Sequence, residues 1–192
     1  IYGHPISPND HINRGQSSND VTPSALHTSA AVELSEQLLP ALHHLVNEID
    51  RKALSVEHCI KTGRTHLMDA MPIKLSQCLS GWAAQINSNI KHIKQLQPSI
   101  QQLAQGGTAV GTGINAHPDF SSLFCQELSA RTGVLFTPAD NFFALISSQD
   151  TAVALSGQLK TTAVSLMKIA NDLRWMNSGP LTGLGEIELE AL

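Results

Sequence analysis

The sequence predicts an all-α protein built from long helical rods. Three stretches of the chain place apolar residues three or four positions apart, which is the spacing of one helical face. Aromatic residues make up only 4% of the 192 residues, and no Asn-Gly or Asp-Gly pair separates alternating apolar runs. Hydrophobic residues reach 42%, enough for one core or one long bundle. We expect residues 1–192 to form a single domain.

The first periodic stretch predicts two helices nearly in line, or one kinked helix, around Pro40. Its apolar positions are Leu26, Ala30, Leu34 and Leu38, then Leu42, Leu45, Ile49, Ala53, Val56 and Ile60. The second stretch predicts a helix from Leu75 to Leu103, with a bend or local break at Pro98, because proline lacks an N–H and crowds the preceding turn.

The third stretch runs from about Asp150 to Met176 and is apolar most of the way round. Such a helix belongs in the middle of a bundle, and a chain this short leaves wide apolar faces uncovered. Oligomerisation is therefore expected. The remaining segments, 1–22, 61–73, 105–119, 133–148 and 178–192, are interpreted as connections.

Composition excludes several classes of partner. The net charge is -4, from 12 Lys+Arg against 16 Asp+Glu, which argues against binding to a nucleic-acid backbone. Three cysteines, too few and too widely spaced for a disulfide framework or a C-x-x-C pair, favour reduced thiols. There is no long uncharged apolar run, no export signal and no metal-ligand spacing. We expect a cytoplasmic protein, or a mitochondrial matrix protein in a eukaryote, and a fragment of a longer parent.

Three segments could contribute to a site. Gln16-Ser17-Ser18-Asn19-Asp20 precedes a helix, where it either caps the helix or helps to bind a carboxylate or phosphate. Gly63-Arg64-Thr65-His66 places a histidine beside a hydroxyl in a predicted loop, which suits acid-base chemistry or is simply a surface turn. The loop Gly106–Asn115 lacks the Lys-Ser/Thr ending of a P-loop, so close backbone packing or a site rim is favoured over nucleotide binding.

Four blocks occur in order with helices between them: SPNDHINRGQSSNDVTPSALH, KTGRTHLMDAMPIKLSQ, LAQGGTAVGTGINAHP and SLMKIANDLRWMNSGPLTGLGEI. Together they resemble class II fumarate hydratases of the fumarase/aspartase superfamily, over essentially the whole chain. Aspartases usually show S-T-N-D and G-R-T-Q where this chain has Ser17-Ser18-Asn19-Asp20 and Gly63-Arg64-Thr65-His66. The hydratase is favoured; the alternatives are an aspartate ammonia-lyase and a non-catalytic assembly module.

The resemblance implies reversible anti addition of water to fumarate, giving L-malate, without metal or organic cofactor. By similarity, Ser17, Ser18, Asn19 and Thr65 bind the substrate carboxylates, and His66 handles the proton of the water. Asn9 and Asp10 match part of an accessory carboxylate site, in which His4 and Ser7 replace a basic residue and a histidine.

The resemblance also implies a homotetramer whose central helical core places residues of different subunits in each active site. Family members have an N-terminal domain and a mobile G-S-S-x-M-P-x-K-x-N loop that this sequence does not contain. We therefore expect residues 1–192 to be the central helical domain of a larger enzyme and to be inactive alone.

Overall fold

The structure is a computed structural model that describes residue 3 and residues 5–190. Helices dominate this part of the chain, in agreement with the predicted all-α class. They are α1 (Ser18–Glu33), α2 (Leu39–Ser55), α3 (Leu75–Ile100), α4 (Phe120–Thr132), α5 (Phe142–Ser147) and α6 (Asp150–Met176). Two π-helical segments, Pro8–Ile12 and Leu34–Leu38, accompany them. His4 lies outside the described residues.

The chain forms two compact units. The first contains the chain up to Leu39 together with Lys94–Ser156, and the second contains Pro40–Ile93 and Gly157–Leu192. The assignment of residues 1–192 to a single domain stays a prediction.

The first unit has its own buried core. A short parallel pair joins β3 (Gln102–Leu103) to β4 (Thr137–Pro138), with Leu103 opposite Pro138. His27 of α1 lies against the same place, because its Nδ1 is 2.8 Å from the carbonyl oxygen of Gln102. The apolar core of this unit consists of Ala31, Leu34, Leu39, Ile100, Leu103, Ala104, Cys125, Val134, Phe136, Ala139 and Leu155.

The second unit buries apolar residues of α2, α3 and α6. They are Leu42, Val46, Ile49, Leu79, Trp82, Ala83, Ile86, Ile90, Ile93, Ile169 and Met176. These include most of the positions that the helical periodicity selects for α3. A polar contact lies among them, since the indole Nε1 of Trp82 donates to Asp172 Oδ2 at 3.1 Å.

The helical path between Ser18 and Ser55 is interrupted by a π-helical segment rather than by a loop. In the segment Leu34–Leu38 the hydrogen bonds shift by one residue, so that the N–H of Leu39 donates to the carbonyl of Leu34. Pro40 follows immediately and has no N–H to donate. The wider turn of the π-helical segment accommodates a proline within the helical path. Sequence periodicity alone does not distinguish this arrangement from a kinked helix.

The prediction that residues 61–73 are a connection without strands is wrong. They form an antiparallel hairpin of β1 (Ile60–Thr65) and β2 (Met68–Lys74). Its two-residue turn, His66-Leu67, has positive φ at both positions, 52° and 62°. That turn is usually made by Asn-Gly, so the sequence lacked the usual signal. A bulge at Gly63 completes the hairpin, and a Cβ at that residue would lie only 2.5 Å from the carbonyl oxygen of Met71.

Other boundaries differ less. The helix predicted from Leu75 ends at Ile100 rather than at Leu103, and it continues through Pro98, where a break was considered. Helix α6 has the predicted bounds. The segments 1–22 and 133–148 are not connections throughout, because α1 begins at Ser18 and α5 lies at Phe142–Ser147.

Candidate active-site segments

Ser17 and Ser18 lie at the N-terminus of α1, and Ser17 is its N-cap. Its backbone is extended, and its side-chain oxygen accepts a hydrogen bond from the N–H of Asn19 at 3.2 Å. The hydroxyl of Ser17 keeps its own proton to donate. Ser17 is half-buried, whereas Ser18 and Asn19 are exposed. The structure confirms that Ser17 caps the helix, and carboxylate or phosphate binding by this segment stays a prediction.

Asp20 fastens this helix end to the glycine-rich loop. Its Oδ1 accepts from the N–H of Ser17 at 2.9 Å, completing a capping box. Its Oδ2 accepts from the N–H of Gly106 at 3.1 Å and of Thr108 at 2.8 Å. A second link joins Asn19 Nδ2 to the carbonyl oxygen of Ala109 at 2.7 Å.

The glycine-rich loop packs closely instead of cradling a phosphate. Two of its amide donors already serve Asp20. A Cβ at Gly106 would lie 2.7 Å from Ser121 Cβ, and one at Gly107 would lie 2.8 Å from Ile146 Cδ1. These distances leave no room for a side chain, which favours the packing interpretation of this loop.

Two cavities flank Ser17 in the first unit. One, of about 640 Å³, is lined by Asp10, Asn13, Arg14, Gly15, Gln16, Ser17, Thr108, Ala109, Ile114 and Asn115. The other, of about 410 Å³, is lined by Asn13, Gln16, Ser17, Ser18, Val21 and Thr22. The predicted substrate-binding residue Ser17 thus borders both cavities, and Ser18 borders the smaller one.

The predicted accessory carboxylate site is only partly described. Asn9 lies in the π-helical segment Pro8–Ile12. Asp10 lines the larger of the two cavities, and its Oδ2 accepts a hydrogen bond from the Ser7 hydroxyl at 2.9 Å. Ser7, where the family usually has a histidine, thus binds the carboxylate of Asp10. The assignment of Asn9 and Asp10 to an accessory site stays a prediction.

Thr65 and His66 lie at the tip of the hairpin in the second unit. Thr65 ends β1, and His66 is the first residue of the turn. Both residues are exposed, as is Leu67, which is 84% exposed. A bulky residue at positive φ is uncommon, and such strain occurs preferentially at functional sites. The imidazole of His66 is therefore displayed on a tightly defined turn.

Behind this tip, Glu186 binds two cations of β1. Arg64 Nη1 donates to Glu186 Oε1 at 2.5 Å, and Lys61 Nζ lies 3.1 Å from Oε2. Burial raises the pKa of Glu186, but the hydrogen bonds from Arg64 and Lys61 outweigh it, so the pKa lies below its ordinary value. This ion pair joins the segment Gly63–His66 to the segment Gly183–Ile187.

A cavity of about 720 Å³ adjoins this pair in the second unit. It is mainly apolar, and Lys61, Arg64, Trp82, Lys168, Asp172, Trp175 and Glu186 are among its lining residues. Lys168 pairs with Asp172 and lies 5.8 Å from the centre of the Trp82 ring. The charged groups of this wall are thus largely paired with one another.

The structure brings Ser17, Ser18 and Asn19 together in the first unit, and Thr65 with His66 in the second. Asp20, Arg64 and Glu186 were not predicted from the sequence to be functional residues. The S-x-x-D spacing of a capping box was available as a signal for Asp20. No local signal links Arg64 to Glu186, because they are far apart in the chain.

Within residue 3 and residues 5–190, no group of three or more His, Cys, Asp or Glu side chains is arranged to hold a metal ion. Within the same residues, no helix combines the length and the apolar character that crossing a membrane requires.

Comparison with known proteins identifies the family. The sequence profile of the family described as lyase matches residues 1–192. The chain belongs to the lyase family. Fumarate hydratase class II 2 of Pseudomonas aeruginosa is 67% identical over 190 residues, which is 99% of this chain and 42% of that protein. Fumarate hydratase class II of Xylella fastidiosa is 53% identical over 188 residues, which is 98% of this chain and 40% of that protein.

A solved structure agrees with these relatives. Recombinant class II fumarase from Schistosoma mansoni matches with a TM-score of 0.90 and 40% identity, covering 93% of this chain and 40% of that one. The resemblance to class II fumarate hydratases is thereby confirmed. The chain spans about two fifths of the length of these relatives.

Proposed function

We propose that this chain is the central part of a fumarate hydratase that adds water reversibly, in the anti sense, to fumarate to give L-malate. The observation that supports this most strongly is the 67% identity with fumarate hydratase class II 2 of Pseudomonas aeruginosa over 99% of the chain. Residues 1–192 are proposed to be one helical domain of the parent enzyme, inactive alone.

Each proposed site residue has a chemical task that its position supports. Ser17, Ser18 and Asn19 lie at a helix N-terminus, where the positive end of the helix dipole favours a bound carboxylate. With Thr65, they donate hydrogen bonds to the substrate carboxylates. These bonds strengthen as the doubly charged aci-carboxylate forms during removal of the C3 proton. His66 exchanges the proton of the water, a task for which imidazole suits neutral pH.

We propose that the parent is a homotetramer in which Ser17–Asn19 of one subunit meets Thr65 and His66 of another. Two observations support this arrangement. The His66 imidazole and the Thr65 hydroxyl are exposed within their unit. Helix α6 also exposes large apolar side chains, among them Val153, Val164, Met167 and Trp175. Docking of other subunits on these faces removes the apolar surface from water and completes the site.

The other proposals concern the cofactors, partners and cellular location of the protein. No organic cofactor or metal takes part, no nucleic acid or membrane is a partner, and the location is the cytoplasm, or the mitochondrial matrix if the source is a eukaryote. The three free thiols, Cys59, Cys78 and Cys125, support a reducing compartment.

The experiment uses the protein expressed from the complete parent reading frame. Incubation with fumarate, followed by proton NMR in deuterated water, is expected to give malate with one deuterium at C3. Incubation with aspartate is expected to give no fumarate. Fumarate release from aspartate would instead assign the ammonia-lyase reaction. A folded tetramer inactive on both substrates would assign a non-catalytic assembly module.

A further inference from the structure

We propose that Asp20 is a positioning residue that holds the substrate-binding segment Ser17–Asn19 in place through the glycine-rich loop. The inference rests on the proposed function, since it concerns the segment proposed to bind the substrate carboxylates. Asp20 itself does not touch the substrate in this proposal.

The contacts of Asp20 connect two distant parts of the chain. Its side chain is 0% exposed, and burial of a carboxylate is unfavourable unless hydrogen bonds compensate for lost water. Three backbone N–H groups do so, those of Ser17, Gly106 and Thr108, at 2.8 to 3.1 Å. One oxygen binds the cap of α1 and the other binds the loop, so the carboxylate keeps the two in fixed register.

The loop is held in an unfavourable conformation at this contact. Thr108 has a φ of 58°, a left-handed value that is energetically unfavourable for a β-branched residue. Among the described residues, the buried hydroxyl of Thr108 finds no hydrogen-bond partner. Stability alone does not explain two such costs at one residue.

The strained backbone at Thr108 places the next residue of the loop against the proposed substrate-binding segment. The next residue, Ala109, presents its carbonyl oxygen to Asn19 Nδ2 at 2.7 Å. Asp20 therefore sets the N-cap geometry of Ser17 directly and the side chain of Asn19 through Thr108 and Ala109. Without the carboxylate, the amides of Gly106 and Thr108 lose their acceptor, and the carbonyl oxygen that Asn19 binds shifts with the loop.

The test is the variant Asp20→Asn in the full-length parent enzyme, with steady-state kinetics on fumarate and L-malate. The amide has one acceptor oxygen and turns a donor toward N–H groups. We expect the KM for both substrates to rise roughly tenfold to a hundredfold while kcat falls less, because His66 is untouched.

Two variants separate positioning from a general loss of stability. Ser24→Ala removes a buried hydroxyl that donates to the backbone carbonyl of Asp20 at 2.7 Å, in the same turns of α1 but without a link to the loop. Asn89→Ala removes buried hydrogen bonds in the other unit. Both are expected to lower the Tm and to leave the KM values unchanged.

A second variant, Gly106→Ala, tests the contact between Asp20 and the loop by a change in the loop. Gly106 has a φ of 102°, and an added Cβ would lie 2.7 Å from Ser121 Cβ. Gly106→Ala must therefore displace the loop while Asp20 remains intact. We expect its KM values to rise as well.

The outcomes distinguish the inference from the proposed function. If the wild-type enzyme is active and Asp20→Asn assembles with KM values within about twofold of wild type, Asp20 is only structural and the inference fails. A wild-type tetramer without activity on fumarate overturns the proposed function, and the inference with it.

If neither Asp20→Asn nor Gly106→Ala assembles, the wild-type enzyme provides the test. Hydrogen exchange at the amides of Gly106 and Thr108 is measured with and without L-malate. Slower exchange with malate supports a loop coupled to the binding segment, and unchanged exchange overturns the inference.

Discussion

Glu186 connects the C-terminal segment of the chain to the strand that ends in Thr65 and His66. Its carboxylate binds Arg64 and Lys61 on β1, and its side chain is only 12% exposed. Hydrogen bonds between charged groups in such a place contribute more than pairs on the surface. Glu186 therefore holds β1 at Lys61 and at Arg64, which is two residues before His66.

We predict that Glu186→Gln makes the stability of the protein less dependent on acid. The pKa of Glu186 is lowered from 4.5 in the folded state, so the unfolded chain takes up a proton first as the pH falls. The stabilisation is complete above about pH 4.5 and is lost as the pH falls through the folded pKa. Urea denaturation at several pH values should show a shallower acid limb in the variant, and at pH 7 a loss of about 2 kcal/mol.

Glu127→Gln is the matched control for this prediction. Glu127 binds Arg131 in an exposed pair, with side chains 65% and 75% exposed, so its removal should leave the acid limb nearly unchanged. Equal slopes for wild type and Glu186→Gln would contradict the role given to Glu186.

At the scale of elements, a polar contact determines how α3 and α6 meet in the second unit. Asn89, which is 4% exposed, donates to Ser165 Oγ at 3.0 Å and accepts from Gln158 Nε2 at 2.9 Å. Both partners lie on α6, whose other buried positions are the apolar Leu155, Ile169 and Met176 and the polar Thr162. A buried amide in a mainly apolar helix interface favours one register over its neighbours, because any shift leaves it unpaired.

We predict that Asn89→Ala lowers the free energy of unfolding by about 2 kcal/mol, because it removes a buried amide and leaves the half-buried amide of Gln158 without its acceptor. Gln158→Ala introduced into this variant should cost less than Gln158→Ala in the wild type. Urea denaturation of the four proteins at one protein concentration gives the coupling energy. Additive losses would show that Asn89 and Gln158 do not act together.

Helical periodicity predicted the long helices, in which apolar residues recur every three or four positions. The bounds of α6 and the beginning of α3 follow directly from it. The hairpin could not be predicted in this way, because its strands are largely exposed and its turn is His66-Leu67 instead of Asn-Gly. The end of α3 was placed too late because Leu103 continues the apolar spacing while belonging to β3.

The candidate site was predictable to a different extent. The segments Ser17–Asn19 and Thr65–His66 were found from local chemistry and from resemblance. The partners that hold them, Asp20 with Thr108 and Glu186 with Arg64, were not found. Each pair joins residues far apart in the chain through hydrogen bonds, which leave no periodic pattern in a single sequence.

At the scale of the whole molecule, the uncovered side of α6 is the main evidence for assembly. Val164 is 58% exposed and Met167 is 64% exposed, although both lie in the middle of a long helix. Apolar residues at such positions favour contact with other helices over contact with water. The proposed tetramer accounts for them.

We predict that Val164→Lys together with Met167→Lys prevents assembly of the parent tetramer. Sedimentation velocity should show a tetramer for the wild type and smaller species for the double variant, with loss of activity. Lys160→Gln, at an exposed polar position of the same helix, should remain tetrameric and active. A tetrameric, active double variant would contradict the assignment of this face to the interface.

The proposed hydration of fumarate by the parent enzyme depends on His66 as its acid-base group. The most direct measurement is the rate of fumarate consumption, followed by ultraviolet absorbance, for the full-length wild type, His66→Asn and the exposed control His92→Asn. We predict an active wild type, an active His92→Asn tetramer, and a kcat for His66→Asn reduced roughly a hundredfold or more. A wild-type tetramer without hydratase activity would contradict the proposed function, and a His66→Asn tetramer with near wild-type kcat would contradict the role of His66.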